Sequence, residues 1–427
     1  MKKSWRKKEK NLKNFIKTLV FRSQNRKKNA KPLYFAIDKH REREYNVGMK
    51  QSIYFDHAAT TPLDKEVFKK MSPYFTELFG NADSPHAIGR KAIAAVDDAR
   101  ATLAELLNAK TNEIYFTSGG TESDNWAILG GAYAQKRAGK TRVVISSIEH
   151  HAALSAAERL EKEGFEIVYR PVNEGGRVEM NAVKAAVNEQ TALVCLMAAN
   201  NETGVLQPIK EGAQIAHEMG ALFFTDAVQA APYMPIDVKE WGVDMLSLSA
   251  HKFYGPKGCG ALYIKNGVKI EKLVGGGEQE RGLRGGTVNV PSVVGLAAAY
   301  ELAAKSFSQT QTKIQKLREL FLKEISVLNG VNINGDKNAL PAILNVRFEG
   351  VENTSFLYNM DLRGVCLAAG SACASASVKP SHVLTAMGLS NEQAKESVRF
   401  SFGKHNTEEE IVLGARLTVE TVLKLRE

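Results

Sequence analysis

The chain has 427 residues, 44% hydrophobic and 24% charged, with a formal net charge of +10. This composition is globular and excludes a disordered or fibrous protein, and the length accommodates two or three domains of about 150 residues each. The positive charge sits at one end: residues 1–50 hold 17 Lys and Arg against 4 Asp and Glu, leaving 40 basic and 43 acidic residues in 51–427, so the body lacks the signature of a nucleic-acid binder.

The segment from Met1 to Lys31 is rich in Lys, has a single acid, Glu9, and carries a short apolar patch at Phe15–Phe21. Lys17 and Thr18 break that patch too early for a secretory signal, and the dominance of Lys over Arg and Ser departs from a mitochondrial presequence. Residues 1–50 are therefore expected to be a disordered tail or a misassigned upstream start, with the compact body beginning near Met49. Four cysteines, Cys195, Cys259, Cys366 and Cys373, include no CxxC pair, which argues against a disulfide framework or a structural zinc site. No window approaches about 18 uninterrupted apolar residues, so no membrane span is expected and a cytoplasmic setting is.

From Ser52–Phe55 onward, strand-like and helix-like patterns alternate. Strands are predicted at Glu113–Thr117, Arg142–Ser146, Glu166–Arg170, Ala192–Met197, Ala221–Thr225, Met245–Leu248 and Gly260–Ile264. Helices are predicted at Thr121–Arg137, Ala152–Glu163, Lys210–Met219 and Leu296–Leu328, and a last helix ends the chain. This alternation predicts an α/β fold with a large, mostly parallel sheet of seven strands. A smaller α/β domain is expected from residues 51–62 and 308–427, with the large domain at 63–307. Ligands of such sheets bind beyond the carboxyl ends of the strands.

The residues following each strand carry the candidate chemistry. Ser118-Gly119-Gly120-Thr121 opens a helix, where free N–H groups suit a phosphate, although a plain capped turn has the same look. Glu149-His150-His151 and Asn200-Asn201-Glu202 are each a catalytic candidate or a turn. Asp226, at the end of a buried strand, needs a positively charged partner, and a pyridinium nitrogen is one. Lys252 lies just past another strand beside Ser249 and His251; a desolvated lysine there forms a Schiff base with an aldehyde cofactor, whereas a lysine on a surface turn does nothing of the kind. Arg281–Thr287 is a glycine- and arginine-rich loop that either wraps an anion or is simply flexible. Leu367–Ser377 surrounds Cys373 with Ala, Gly and Ser, so its thiol is either accessible or an inert packing residue. Arg399 lies within a strand, where a buried guanidinium calls for a carboxylate.

Nine segments in order resemble the cysteine desulfurases of the NifS/IscS group, fold-type I pyridoxal-phosphate (PLP) enzymes of the class-V aminotransferase family. They are YFDHAATTP at Tyr54–Pro62, FTSGGTESDN at Phe116–Asn125, EHHA at Glu149–Ala152, NNETG at Asn200–Gly204, DAVQ at Asp226–Gln229, SAHKFYGPKG at Ser249–Gly258, GGGEQERGLRGGT at Gly275–Thr287, GSACASAS at Gly370–Ser377 and RFSFG at Arg399–Gly403. The resemblance implies a fold-type I PLP-dependent transferase that converts L-cysteine to L-alanine and holds the sulfur as a persulfide on Cys373. Lys252 would hold the cofactor, Asp226 would pair with its ring nitrogen, His150 would stack on the ring and move protons, and Gln229 would bond the phenolic oxygen. Gly120, Thr121, Ser249 and His251 would take the phosphate, joined by Thr287 from a neighbouring subunit, which implies a homodimer. Asn201 would reach cofactor or substrate, and Arg399 the substrate carboxylate.

The acceptor would be an iron–sulfur scaffold or a tRNA-thiolation enzyme. No intrinsic metal site is expected, although Cys373 could transiently ligate a cluster alongside a partner. The chain departs from the pattern at Ala82–His86 and at Ala198, and Cys195, Cys259 and Cys366 read as structural. An aminotransferase or selenocysteine lyase would share the fold and Lys252, but an aminotransferase gives no reason for Cys373. A scaffolding role is disfavoured by the presence of Lys252, Asp226 and Cys373 together, and nucleic-acid binding would rest on residues 1–48 alone.

Overall fold

The computed structural model describes residues 52–337, 339–370 and 380–427; the basic segment 1–50 and Cys373 lie outside them. Its strands in chain order are β1 (Ile53–Tyr54), β2 (Ile114–Thr117), β3 (Arg142–Ser146), β4 (Glu166–Arg170), β5 (Thr191–Cys195) and β6 (Leu222–Asp226). They continue as β7 (Met245–Ser249), β8 (Gly260–Ile264), β9 (Val331–Asn334), β10 (Ile343–Phe348), β11 (Val365–Cys366) and β12 (Ser397–Ser401).

Seven of these form one sheet in the order β2-β8-β7-β6-β5-β3-β4. Only β8 runs antiparallel to its neighbours; the other pairs are parallel. Every residue of β5, β7 and β8 is buried, as parallel strands covered on both faces must be. Alternation along a strand explains the two cores: Val143 and Ile145 of β3 pack on one side with Leu193, Phe224 and Met245, whereas Val144 packs on the other with Val194, Phe223 and Leu246.

Each of the seven strands predicted from sequence is found, with ends displaced by at most two residues. The helix predicted at Thr121–Arg137 also forms, but as α1 (Gly120–Asn125), a π-helical turn at Trp126–Gly130 and a further helical stretch, Gly131–Lys136. The Trp126 indole N–H donates to the Glu271 carbonyl at 3.0 Å, a contact made at the widened turn. Helix α2 (His151–Lys162) follows β3, and α3 (Val290–Ile325) runs for 36 residues. The expected domain border at residues 307–308 falls inside α3.

Beyond α3, strands β12-β10-β9 make a second, antiparallel sheet. The first described residues lie against it: β1 pairs with β11 in a two-stranded sheet of its own, and Asp56 bridges to Ser401 of β12. Phe55 is fully buried there, its ring edge-on to Phe402 at 5.3 Å and to Phe321 at 6.2 Å. The chain just after β1 is thereby anchored next to the strand that carries Arg399.

Candidate active site

One cavity, of about 180 Å³, lies beyond the carboxyl ends of β6 and β7. Asp226 closes β6 and is 5% exposed. Its Oδ1 accepts the Val228 N–H at 2.8 Å. Burial pushes its pKa up to about 6, opposed by that N–H, by the Lys252 charge and by the Ser247 hydroxyl. The carboxyl is thus poised to ionise in full once a cation sits against it.

Lys252 follows β7 by one tight turn. Its Nζ donates to the carbonyls of Ala58 at 2.6 Å and Ala59 at 2.9 Å. Gln229 reaches the same Ala58 carbonyl through Nε2 at 2.9 Å. His150 caps α2, its Nδ1 accepting the Ala152 N–H at 3.2 Å; the proton of the neutral ring then resides on Nε2. Burial first, then the Lys252 charge, push the His150 pKa down to about 4, so this imidazole is uncharged near neutral pH.

Gly120 and Thr121 open α1, whose first N–H groups have no helical acceptor. A Cβ on Gly120 would approach Val228 Cγ2 to 2.9 Å and Ser249 Cβ to 3.6 Å, so glycine is what lets this helix start lie against the end of β7. Ser249 ends β7 and lines the cavity with His251. The His251 Nδ1 is 3.1 Å from Thr60 Oγ1, and burial followed by the Lys252 and Lys257 charges push its pKa down to about 4. Helix N–H groups, two hydroxyls and a neutral imidazole thus line one cavity, a donor set of the kind that could hold a phosphate.

Arg399, 1% exposed, also lines the cavity. It donates from Nη1 to the Asn201 carbonyl at 2.9 Å and from Nη2 to Asp56 Oδ1 at 2.8 Å, while Nε has no partner. The structure therefore brings together ten of the residues singled out from sequence: Gly120, Thr121, His150, Asn201, Asp226, Gln229, Ser249, His251, Lys252 and Arg399 all line this cavity. Thr287 is exposed and does not line it. Cys373 lies outside the described residues.

Sequence reasoning assigned no part to Asp56, Ala58 or Ala59, although all three fall in the quoted segment Tyr54–Pro62. It also passed over Asp124, a cavity-lining carboxyl 1% exposed, whose Oδ1 accepts from Ser247 Oγ at 2.6 Å. Burial, then the Asp226 charge, raise the Asp124 pKa well above the usual carboxylate range. Spacing within TESDN gave one available signal, because Asp124 lies three residues after Thr121 and so about one turn along the same helix.

Cys195 and Cys259 are buried thiols. Burial pushes Cys259 up to about 12 and raises Cys195 well above its ordinary value, which leaves both unreactive. Among the described residues, no group of three or more His, Cys, Asp or Glu side chains is placed to hold a metal ion. No helix among them is long and apolar enough to cross a membrane.

The donor set fits pyridoxal 5′-phosphate: an amine for the aldehyde, a buried carboxyl for the ring nitrogen, an uncharged imidazole and a phosphate cup. Residues 53–413 match the Aminotransferase class-V family. The chain is 48% identical over 367 residues to the cysteine desulfurase IscS of Clostridium botulinum (strain Hall), covering 85% of this chain and 92% of that one. Among solved structures it is similar to a NifS-like protein, with a TM-score of 0.82 and 36% identity over 87% of this chain and 99% of the other. It is also similar to SspA in complex with cysteine, with a TM-score of 0.75 and 37% identity over 83% of this chain and 100% of the other.

Proposed function

The chain belongs to the aminotransferase class-V family, and from that premise we propose that it is a PLP-dependent cysteine desulfurase converting L-cysteine to L-alanine. The observation that carries this reading is the convergence of Lys252, Asp226 and Arg399 on one cavity, where amine, ring-nitrogen partner and carboxylate site stand together. The kinship with a cysteine desulfurase and with a protein solved with cysteine supports the choice of substrate.

Bound PLP supplies an electron sink for charge developing at the substrate Cα. Lys252 would hold the cofactor aldehyde, and its Nζ amine would be the group that accepts the substrate Cα proton. Asp226 would pair with the ring nitrogen, and the neutral His150 ring would stack on the cofactor with its Nε2–H available to donate. Gly120, Thr121, Ser249 and His251 anchor the phosphate, Gln229 faces the phenolic oxygen, Asn201 reaches cofactor or substrate, and Arg399 receives the carboxylate.

Cys373, as thiolate, attacks the substrate sulfur. The S–S bond forms as the Cβ–S bond breaks, the bonding pair stays with carbon, and protonation yields alanine and a Cys373 persulfide. The Ala, Gly and Ser composition of Leu367–Ser377 supports a thiol that passes sulfur to a second protein, an iron–sulfur scaffold or a tRNA-thiolation enzyme, with a cluster transiently on Cys373 when the scaffold is bound. We place Thr287 at the phosphate of a partner copy in a homodimer, in keeping with its exposure. The free thiols of Cys195, Cys259 and Cys366 fit a reducing cytoplasm.

The test is alanine and sulfide release from L-cysteine, with a thiol reductant, by the purified full chain. Equal yields of both products are expected, lost in Cys373→Ser while that variant keeps its bound PLP. Sulfide release retained in Cys373→Ser would overturn the nucleophile assignment. A PLP-bound wild type that makes no alanine would overturn the desulfurase reading.

A further inference from the structure

Arg399 reaches the cavity with its charge already answered. Its Nη2 donates to Asp56 Oδ1 at 2.8 Å, and the Asp56 side chain is 20% exposed against 1% for Arg399. Backbone contacts hold the main chain that carries this carboxylate. Asp56 bridges to Ser401, two residues along β12 from Arg399. The next two residues also hold Ser401, the His57 N–H donating to its carbonyl at 3.3 Å and the Ala58 N–H to its Oγ at 2.9 Å. The Asp56 backbone is therefore held beside β12, within reach of the guanidinium, and Arg399 is tied on its other side to the Asn201 carbonyl.

A substrate carboxylate directed to Arg399 thus meets a guanidinium that holds one carboxylate already. Two anions sharing one cation repel each other, and at the reduced effective dielectric of a cavity wall that repulsion is worth a substantial factor in affinity. Resting on the proposed function, we infer that Asp56 is a positioning residue that sets carboxylate specificity. It holds Arg399 at the cavity wall and, through its charge, keeps the affinity for amino-acid carboxylates moderate, so that the alanine product leaves readily.

Asp56→Asn retains an oxygen able to accept from Nη2 but removes the charge. The expected result is a fall on the order of tenfold in KM for L-cysteine and in Kd for L-alanine, the latter read from the visible absorption of the PLP-loaded full chain. The affinity for L-alaninamide, which has no carboxylate, should stay within about twofold, and Asp56→Glu should behave as the wild type. A merely structural role would weaken both ligands alike, and that outcome, or an unchanged Kd for L-alanine, overturns the inference.

The wild type alone offers a second measurement should Asp56→Asn not fold. L-alanine should outbind L-alaninamide by no more than about tenfold, because Arg399 is already neutralised; a preference near a thousandfold would overturn the proposal. If the wild type binds PLP but releases no alanine from L-cysteine, the desulfurase reading fails. The alanine and alaninamide titrations would still decide the role of Asp56.

Discussion

The cavity has two walls of different origin. One is built from the ends of sheet strands and the turns after them, and it contributes side chains: Asp226 after β6, Ser249, His251 and Lys252 around the end of β7, and His150 after β3. The other is made by Ala58 and Ala59, within the segment Asp56–Thr61 that follows β1, and it works through its backbone. The Ala58 carbonyl accepts from both Lys252 and Gln229, the Ala59 carbonyl accepts from Lys252, and the Thr61 N–H donates to the His251 carbonyl. Strand ends of a parallel sheet are where chemistry-bearing side chains collect, whereas the facing segment tethers those groups with carbonyls that any residue type could supply. Specificity in such a site is thus written twice, once in residue identity and once in the path of the chain.

Breaking the side-chain wall should have the largest effect. Lys252→Ala removes the amine expected to hold PLP, and turnover should fall by more than about a thousandfold. Borohydride reduction followed by denaturation should leave PLP attached to the wild type and not to the variant. PLP retained by the reduced variant would remove Lys252 from its assigned place.

The same contrast explains what could be read in advance. Strands β5 to β8 are buried on both faces, so they stand out as apolar runs, and their ends fix where Asp226 and Lys252 must lie. The seven-stranded sheet was legible for that reason, whereas most of the ten cavity-lining residues were singled out through the resemblance of their segments to the NifS/IscS group. The Asp56–Arg399 pair was not, because its members are 343 residues apart and meet where Asp56, just after β1, bridges to Ser401 of the second sheet. The sequence called for a carboxylate at Arg399 and pointed to the substrate; the chain provides one itself. Carbonyl acceptors such as Ala58 leave no mark on residue type at all. Asp124 and Glu149 were visible as letters within motifs, but their burial depends on which face of a helix or turn packs inward.

Burial on the sheet wall also has a smaller, pH-dependent consequence. Glu149 follows β3 and is fully buried; its Oε1 accepts from Ser146 Oγ at 2.6 Å and from the Met197 N–H at 2.8 Å, while Oε2 has no partner. Burial pushes its pKa up to about 8 from an ordinary 4.5. The folded chain therefore binds this proton more tightly than the unfolded one, and the resulting stability is full below pH 4.5 and disappears as pH rises through about 8. His150 and His251 behave oppositely: with pKa values lowered from 6.5 to about 4, their contribution is present above pH 6.5 and lost as pH falls through 4. Glu149→Gln removes the titrating group, so its melting temperature should decline less steeply than that of the wild type between about pH 6 and pH 9. Melting curves of the two proteins that run parallel over that range would rule out a buried, proton-holding Glu149.

The smallest expected effect lies beside the backbone wall, at a side-chain contact of the same segment. Thr60 Oγ1 is 3.1 Å from His251 Nδ1, and the Thr60 carbonyl accepts from Tyr54 Oη at 3.0 Å. Thr60→Val keeps the shape and the carbonyl but removes the hydroxyl, at a cost of about 1 kcal/mol for one hydrogen bond. His251 then loses one fixed orientation at the phosphate cup, so the affinity for PLP should fall about fivefold with little change in kcat once the enzyme is saturated. Thr60→Ser, which retains the hydroxyl, should match the wild type. Equal PLP affinities for the Val and Ser variants would show that this hydroxyl carries nothing; a loss confined to Val would show that it orients His251, as the Asp56 carboxylate holds Arg399.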